Sequence, residues 1–187
     1  YQKILEEAVD ELKTDEFTDL FAPAGEQSDN ADAYVRETFI ESDLELMFAP
    51  TYIPSDSERV SIYRELDTIE NEAKLSEFTN RLKDRFGAIP KEGEELIRVI
   101  SLRWSARQLG IEKIVLKREM MAMYLPSNPG SPYYQSRAFG KFLTYIQRYP
   151  RACTLREQAG KRSIIIKNIT NVAAASRCLQ EIEAING

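Results

Sequence analysis

An α+β fold, with a three-helix unit packed beside a small, mainly antiparallel sheet and further helices, is predicted by three observations. Apolar residues recur at spacings of three and four from Val60 to Leu109, the period of helices that bury one face. After Ile111 the period drops to two in short runs joined by charged or glycine turns, the pattern of hairpins. The chain has 187 residues, 43% of them hydrophobic and 29% charged, which suits one domain of roughly 100–200 residues.

Residues 1–20 read as a helix, with Ile4, Leu5, Ala8, Val9 and Leu12 on one stripe. Because the first residue is Tyr and the pattern is already helical there, the chain reads as a piece of a longer protein. Residues 21–34 (FAPAGEQSDNADAY) lack an apolar period and read as a flexible loop. The remainder, 35–187, is taken as one α+β domain. Val35 to Phe48 alternates in part, with Leu44, Leu46 and Phe48 on one face, which predicts a half-buried strand ended by Pro50 and Pro54.

Asp56 or Ser57 is positioned to cap a helix carrying Val60, Tyr63, Leu66 and Ile69. After a turn at Asn71, Leu75, Phe78, Leu82 and Phe86 predict a second helix over 74–86, and Gly87 stands where a left-handed cap is expected. Phe86 is expected to complete that buried stripe. Pro90 suits a first helical position, and Leu96, Ile97, Ile100, Trp104 and Leu109 extend a third helix that Gly110 stops. Ile114 and Leu116, the turn Lys117-Arg118-Glu119, and Met121, Met123 and Leu125 predict a hairpin. The run PSNPGSP at 126–132 is a loop. Phe139, Phe142, Leu143 and Ile146 predict a helix within 134–149, Cys153–Arg156 and Ser163–Ile169 a second hairpin around Gly160, and Val172, Ala175, Leu179, Ile182 and Ile185 a closing helix.

Composition removes whole classes of chemistry. Without a single His, no imidazole can serve as base, acid or metal ligand. The two cysteines, Cys153 and Cys178, form no CxxC and read as small buried hydrophobes in a reducing, cytoplasmic setting. No charged, apolar leader and no long apolar run predicts a signal peptide or a membrane span. Neither GxxxxGK[ST] nor GxGxxG occurs, so no phosphate cradle can be drawn. Adjacent acids such as Glu6-Glu7 and Glu94-Glu95 diverge by about 100° on a helix and share no site. Glu26, Asp29 and Asp32 lack the ligand alternation of a calcium loop. The reading is therefore non-enzymatic, with no catalytic, metal-binding or cofactor-binding residue.

The net charge of −5 hides a division: residues 1–100 hold 25 acids and 11 bases, a net of −14, while 101–187 hold 5 acids and 14 bases, a net of +9. Such asymmetry suits two charged halves that attract each other, two surfaces for different partners, or solvated helix faces. Within the basic half, YYQSRAFGKFLTYIQRYPR at 133–151 interleaves Arg137, Lys141, Arg148 and Arg151 with aromatic residues and no acid. This composition offers a direct contact to single-stranded nucleic acid. The competing expectation is a helix with a basic exposed face, since Phe139, Phe142 and Ile146 also fit a buried stripe.

Tyr52-Ile53-Pro54, Arg59 with Tyr63-Arg64, Asp84-Arg85-Phe86-Gly87 followed by Pro90, and Ala106 with Leu109-Gly110-Ile111 occur in an order and spacing that resemble the C-terminal domain of bacterial transcription-repair coupling factors. The likeness covers Tyr52 to Lys117, and Tyr1 to Leu12 resembles the helix leading out of that family's motor. The loop 22–34 and the chain after Lys117 depart from it. The resemblance implies a parent that is an ATP- and magnesium-dependent translocase on double-stranded DNA, displacing stalled RNA polymerase and recruiting the repair protein UvrA. It implies for this piece, which lacks the motor and needs no cofactor, an autoinhibitory role: masking the UvrA-binding module of the same parent chain as a monomeric, non-membrane domain. Asp84 matches an acidic position that faces basic residues of that module. The acid expected one turn earlier falls at Arg81, with Glu77 close enough to substitute and Arg85 beside the contact.

Overall fold

A computed structural model of the chain describes residues 34–186. The sequence-predicted helix over 1–20 and nearly all of the loop at 21–34 lie outside the described residues.

Two-residue turns organise the sheet. Strands β2 (Lys113–Lys117) and β3 (Met120–Tyr124) pair antiparallel through Arg118 and Glu119, whose φ angles are 55° and 59°. Strands β4 (Cys153–Gln158) and β5 (Lys161–Lys167) pair in the same way through Ala159 and Gly160, at 53° and 77°. Two consecutive residues of positive φ match the right-handed twist of the flanking strands. β3 pairs antiparallel with β5, and β1 (Phe39–Ser42) pairs parallel with β2, giving the order β1-β2-β3-β5-β4. Three of the four pairings are antiparallel, as expected.

The parallel pair needs a long crossover, and the three-helix unit is that crossover. Helix α1 spans Asp56–Thr68, α2 Glu72–Phe86 and α3 Lys91–Gln108. The cap of α1 is Ser55, not Asp56 or Ser57: its side chain accepts from the Glu58 amide while Asp56 pairs with Arg59. Asn71 caps α2, so that helix begins two residues before Lys74. Gly87 has the expected positive φ, 87°, with ψ at −165°. Pro90 caps α3 rather than entering it. Gly110, φ 78°, follows α3 under the Tyr133 ring, where a Cβ would lie 2.3 Å from Cε2.

The predicted strand at Val35–Phe48 is corrected to the four residues of β1. Leu44 and Leu46 pack against the sheet-side core, whereas Phe48 is buried among the helices. The alternation at 44–48 therefore reflects a segment shared between two cores, not two faces of one sheet. Helices α4 (Arg137–Arg148) and α5 (Val172–Glu183) complete the fold, with a 3₁₀ turn at Pro132–Gln135 before α4.

Two buried clusters result. Phe48, Ile53, Phe78, Leu82, Ile97 and Ile100 centre the helical one. Leu102, Ile114, Met123, Phe142, Ile164 and Leu179 centre the sheet-side one. Helix α3 contributes to both, Leu96, Ile97, Ile100 and Trp104 to the helices and Val99, Leu102 and Ala106 to the sheet-side core. Phe86 is only partly buried at the edge of the helical cluster.

Candidate interaction surface

The residues that carry the sequence resemblance mostly hold the helical unit together. Tyr52 donates through its hydroxyl to the Gly87 carbonyl at 2.8 Å, pinning the end of α2 to the loop before α1. Arg59 donates to the Ile53 carbonyl at 2.8 Å. Tyr63 accepts from the Phe48 amide at 2.9 Å and stacks on the Phe48 ring, centroids 5.5 Å apart. Ala106 is fully buried and its carbonyl receives the Ile111 amide at 2.9 Å.

Asp84 differs. It is exposed on the last turn of α2 and makes no ion pair among the described residues. Glu77, Arg81 and Asp84, at i, i+4 and i+7, line one exposed face with Arg85 alongside. Those neighbours are engaged within the unit: Glu77 with Lys74 at 3.6 Å, Arg81 with Glu65, and Arg85 with Glu58 at 2.5 Å. The last two pairs cross from α2 to α1 over a groove of about 430 Å³ floored by Ile62, Phe78 and Phe86. The four residues marked by sequence thus share one end of α2, and among them Asp84 alone makes no ion pair within the described residues.

The basic set is distributed differently. Arg137, Lys141 and Arg148 share one stripe of α4, with Arg137 and Arg148 exposed, and Arg151 exposed just beyond. Lys141 Nζ donates to the Glu183 carbonyl at 3.1 Å, meeting the negative end of α5. The aromatic residues between them turn inward. Tyr133 is fully buried and donates to the Leu109 carbonyl at 2.7 Å; burial pushes its pKa well above the usual range. Tyr134 lies beneath the Arg162 guanidinium, 4.3 Å from the ring centroid. Phe142 and Tyr145 are buried, and Tyr149, 41% exposed, donates to Glu181 at 2.5 Å. The segment therefore presents cations, with its aromatic faces largely spent on packing.

Sequence reasoning weighed Glu95 only as half of an adjacent pair with Glu94 that shares no site. This buried carboxylate on α3 accepts the amides of Val172 and Ala173, each at 3.1 Å, at the first turn of α5. Arg98 supplies a counter-charge at 3.3 Å. No local signal distinguishes it from exposed Glu94. Among the described residues there is no group of three or more potential metal ligands, and no helix is long and apolar enough to cross a membrane. Both cysteines are buried, with burial pushing the Cys178 thiol up to about 11.

The model of the TRCF domain matches residues 42–136. The chain belongs to this family. The TRCF match spans the helical unit, β2, β3 and the following loop, beyond the Tyr52–Lys117 stretch marked by motifs. The transcription-repair-coupling factor of Escherichia coli (strain K12) is 31% identical over 114 residues, 61% of this chain and 9% of that protein. That of Staphylococcus haemolyticus (strain JCSC1435) is 28% identical over 125 residues, 67% of this chain and 10% of that protein. The Helicobacter pylori (strain 26695) protein is 37% identical over 65 residues, 35% of this chain and 6% of that protein. The matched part is thus about a tenth or less of these relatives' lengths. A crystal structure of the C-terminal domain of a transcription-repair coupling factor shares the fold, with TM-score 0.60 at 14% identity over 78% of this chain and 93% of that one. The α+β architecture extends through the part of the chain where sequence resemblance fades.

Proposed function

We propose that this TRCF domain is the autoinhibitory C-terminal domain of a transcription-repair coupling factor, masking the UvrA-binding module of its own parent chain. The parent is an ATP- and magnesium-dependent translocase on double-stranded DNA that displaces stalled RNA polymerase and recruits UvrA in the cytoplasm. This domain is a non-catalytic regulator. The observation that carries the reading is Asp84, exposed on α2 and unpaired among the described residues while Glu77, Arg81 and Arg85 are already engaged.

An acid in the last turn of a helix opposes the macrodipole at a cost of about 0.3–1 kcal/mol. Folding of α2 gives no return for that cost, whereas a basic partner surface does. Within one chain the effective concentration of two modules is of order mM, so a weak polar contact keeps them closed and a competitor opens them.

The test compares UvrA binding by the intact parent, its Asp84→Lys variant, and a parent lacking residues 35–187. Reversal adds like-charge repulsion worth about 1–2 kcal/mol. Apparent UvrA affinity is expected to rise about fivefold to thirtyfold at low salt, with the difference shrinking as salt rises. If deletion exposes UvrA binding and Asp84→Lys does not, the masking surface lies elsewhere on the domain. If neither changes it, the autoinhibitory reading is wrong.

A further inference from the structure

Among the described residues, helices cover the core-facing side of the sheet and no element covers its other side. Glu41 bridges Lys113 at 2.9 Å and Lys117 at 3.6 Å, which places all three on that side. The ladder registers put Val115, Ala122 and Ile165 in one row across it, with Phe39, Tyr124 and Met120 around them. Phe39 is 61% exposed and Met120 37%, and none of the six packs against either buried cluster. Lys113, Lys117, Arg156, Lys161 and Lys167 rim this apolar patch; among the described residues the strand registers place one acid, Glu41, on it, with Glu112 at its end. An apolar centre within a cationic rim is a surface for an acidic, apolar partner.

The chain itself carries such a segment. Thr14 to Ala33 holds Asp15, Glu16, Asp19, Glu26, Asp29 and Asp32 and no base, with Phe17, Leu20 and Phe21 among the first three acids. We propose that this acidic segment, led by Phe17-Thr18-Asp19-Leu20-Phe21, docks on the open face of the sheet of its own chain. The idea is independent of the Asp84 reading and uses the opposite charge on a different surface.

Three observations favour this occupant. The chain that follows the segment leads into the sheet: the Tyr34 ring packs 5.7 Å from Tyr133, Thr38 donates to the Ile111 carbonyl at 2.6 Å and the Phe39 amide to the Glu112 carbonyl at 3.1 Å. At that end of the sheet lies a cavity of about 310 Å³ lined by Glu112, Lys113, Tyr124, Leu125, Ser127 and Lys161, with room for an aromatic side chain between two lysines. Reach is sufficient, since the twelve residues Ala22–Ala33 span about 19 Å even as a random chain, close to the roughly 19 Å across five strands. The patch centre is aliphatic, whereas a nucleic-acid platform needs aromatic faces for successive bases. Tethering at an effective concentration of order mM keeps even a sub-millimolar contact closed.

The experiment uses the full 187-residue chain with a nitroxide on Thr18→Cys; Cys153 and Cys178 are buried, so the label is selective. At low salt the amide signals of Val115, Ala122 and Ile165 are expected to lose about half their intensity or more. Phe17→Ala with Leu20→Ala, which removes the apolar side chains of the segment, is expected to restore them. So are Lys161→Glu with Lys167→Glu, and about 1 M salt, where the Debye length is near 3 Å. Signals unaffected by the label would overturn the proposal. So would broadening that appears only when a labelled chain is mixed with an isotopically enriched, unlabelled one, which makes a second copy the occupant. Equal binding of a single-stranded oligonucleotide by the native and Phe17→Ala/Leu20→Ala chains, lost on Lys167→Glu, would assign the face to nucleic acid and reject the segment.

Discussion

Glu94 and Glu95 are neighbours on α3, yet one is exposed and the other only 7% exposed. Glu95 ties α3 to the first turn of α5 through two amides and pairs with Arg98, combining charge-assisted hydrogen bonds with a favourable helix dipole. Removing it leaves those amides buried and unmet. Glu95→Ala is expected to lower stability by about 2–4 kcal/mol in urea denaturation, and Glu94→Ala to stay within about 0.5 kcal/mol. Glu183 makes the opposite case. Burial raises its pKa from the usual 4.5, against the lowering effects of a Ser105 hydrogen bond and the Lys141 charge. When a folded carboxyl has a raised pKa, the unfolded chain releases its proton first as pH climbs, so stability falls from pH 4.5 upward and levels off above the folded pKa. Glu183→Gln is therefore expected to raise the melting temperature at pH 7 and leave it nearly unchanged at pH 4. An equal shift at both pH values would mean that packing, not ionisation, sets the effect.

At the scale of elements, what sequence revealed depended on how local each element's cause is. The stripe Leu75, Phe78 and Leu82 is buried against one helical cluster and was legible from spacing alone. Both hairpins announced themselves through their turns. β1 did not, because its parallel partner β2 lies some seventy residues away across the helical crossover, and no local pattern encodes a parallel register. The exposed end of α2 could be marked by resemblance, but the open sheet face emerged only once registers aligned its lysines. The β2–β3 turn still carries a visible cost, with Arg118 and Glu119 both at positive φ without being glycine. Relief of left-handed strain, about 1–2 kcal/mol, exceeds the roughly 0.5–1 kcal/mol of added glycine entropy. Glu119→Gly is thus expected to stabilise the domain by about 0.5–1 kcal/mol, read as a higher urea midpoint at unchanged slope. A loss of stability would show that the Glu119 side chain has a role beyond the turn.

At the scale of the molecule, the two buried clusters are distinct in composition but share one helix. Ile97 and Ile100 at the middle of α3 face the helical cluster, and Leu102, Ala106 and Leu109 face the sheet. Because one helix is buried on both faces, loss of either cluster exposes α3, and Glu95 in its second turn ties α3 to α5. The helical unit should therefore unfold together with the sheet. Phe78→Ala in the helical cluster and Phe142→Ala in the sheet-side cluster, both side chains almost fully buried, are each expected to cost about 3–5 kcal/mol. If α3 couples the clusters, each variant shifts a single transition, and far-ultraviolet dichroism and the fluorescence of Trp104, which packs on the helical cluster, report the same midpoint. If Phe78→Ala instead moves the fluorescence transition and leaves the exchange protection of β3 and β5 amides at its original level, the helical unit opens on its own. Its α2 surface would then be an independently moving part of the protein.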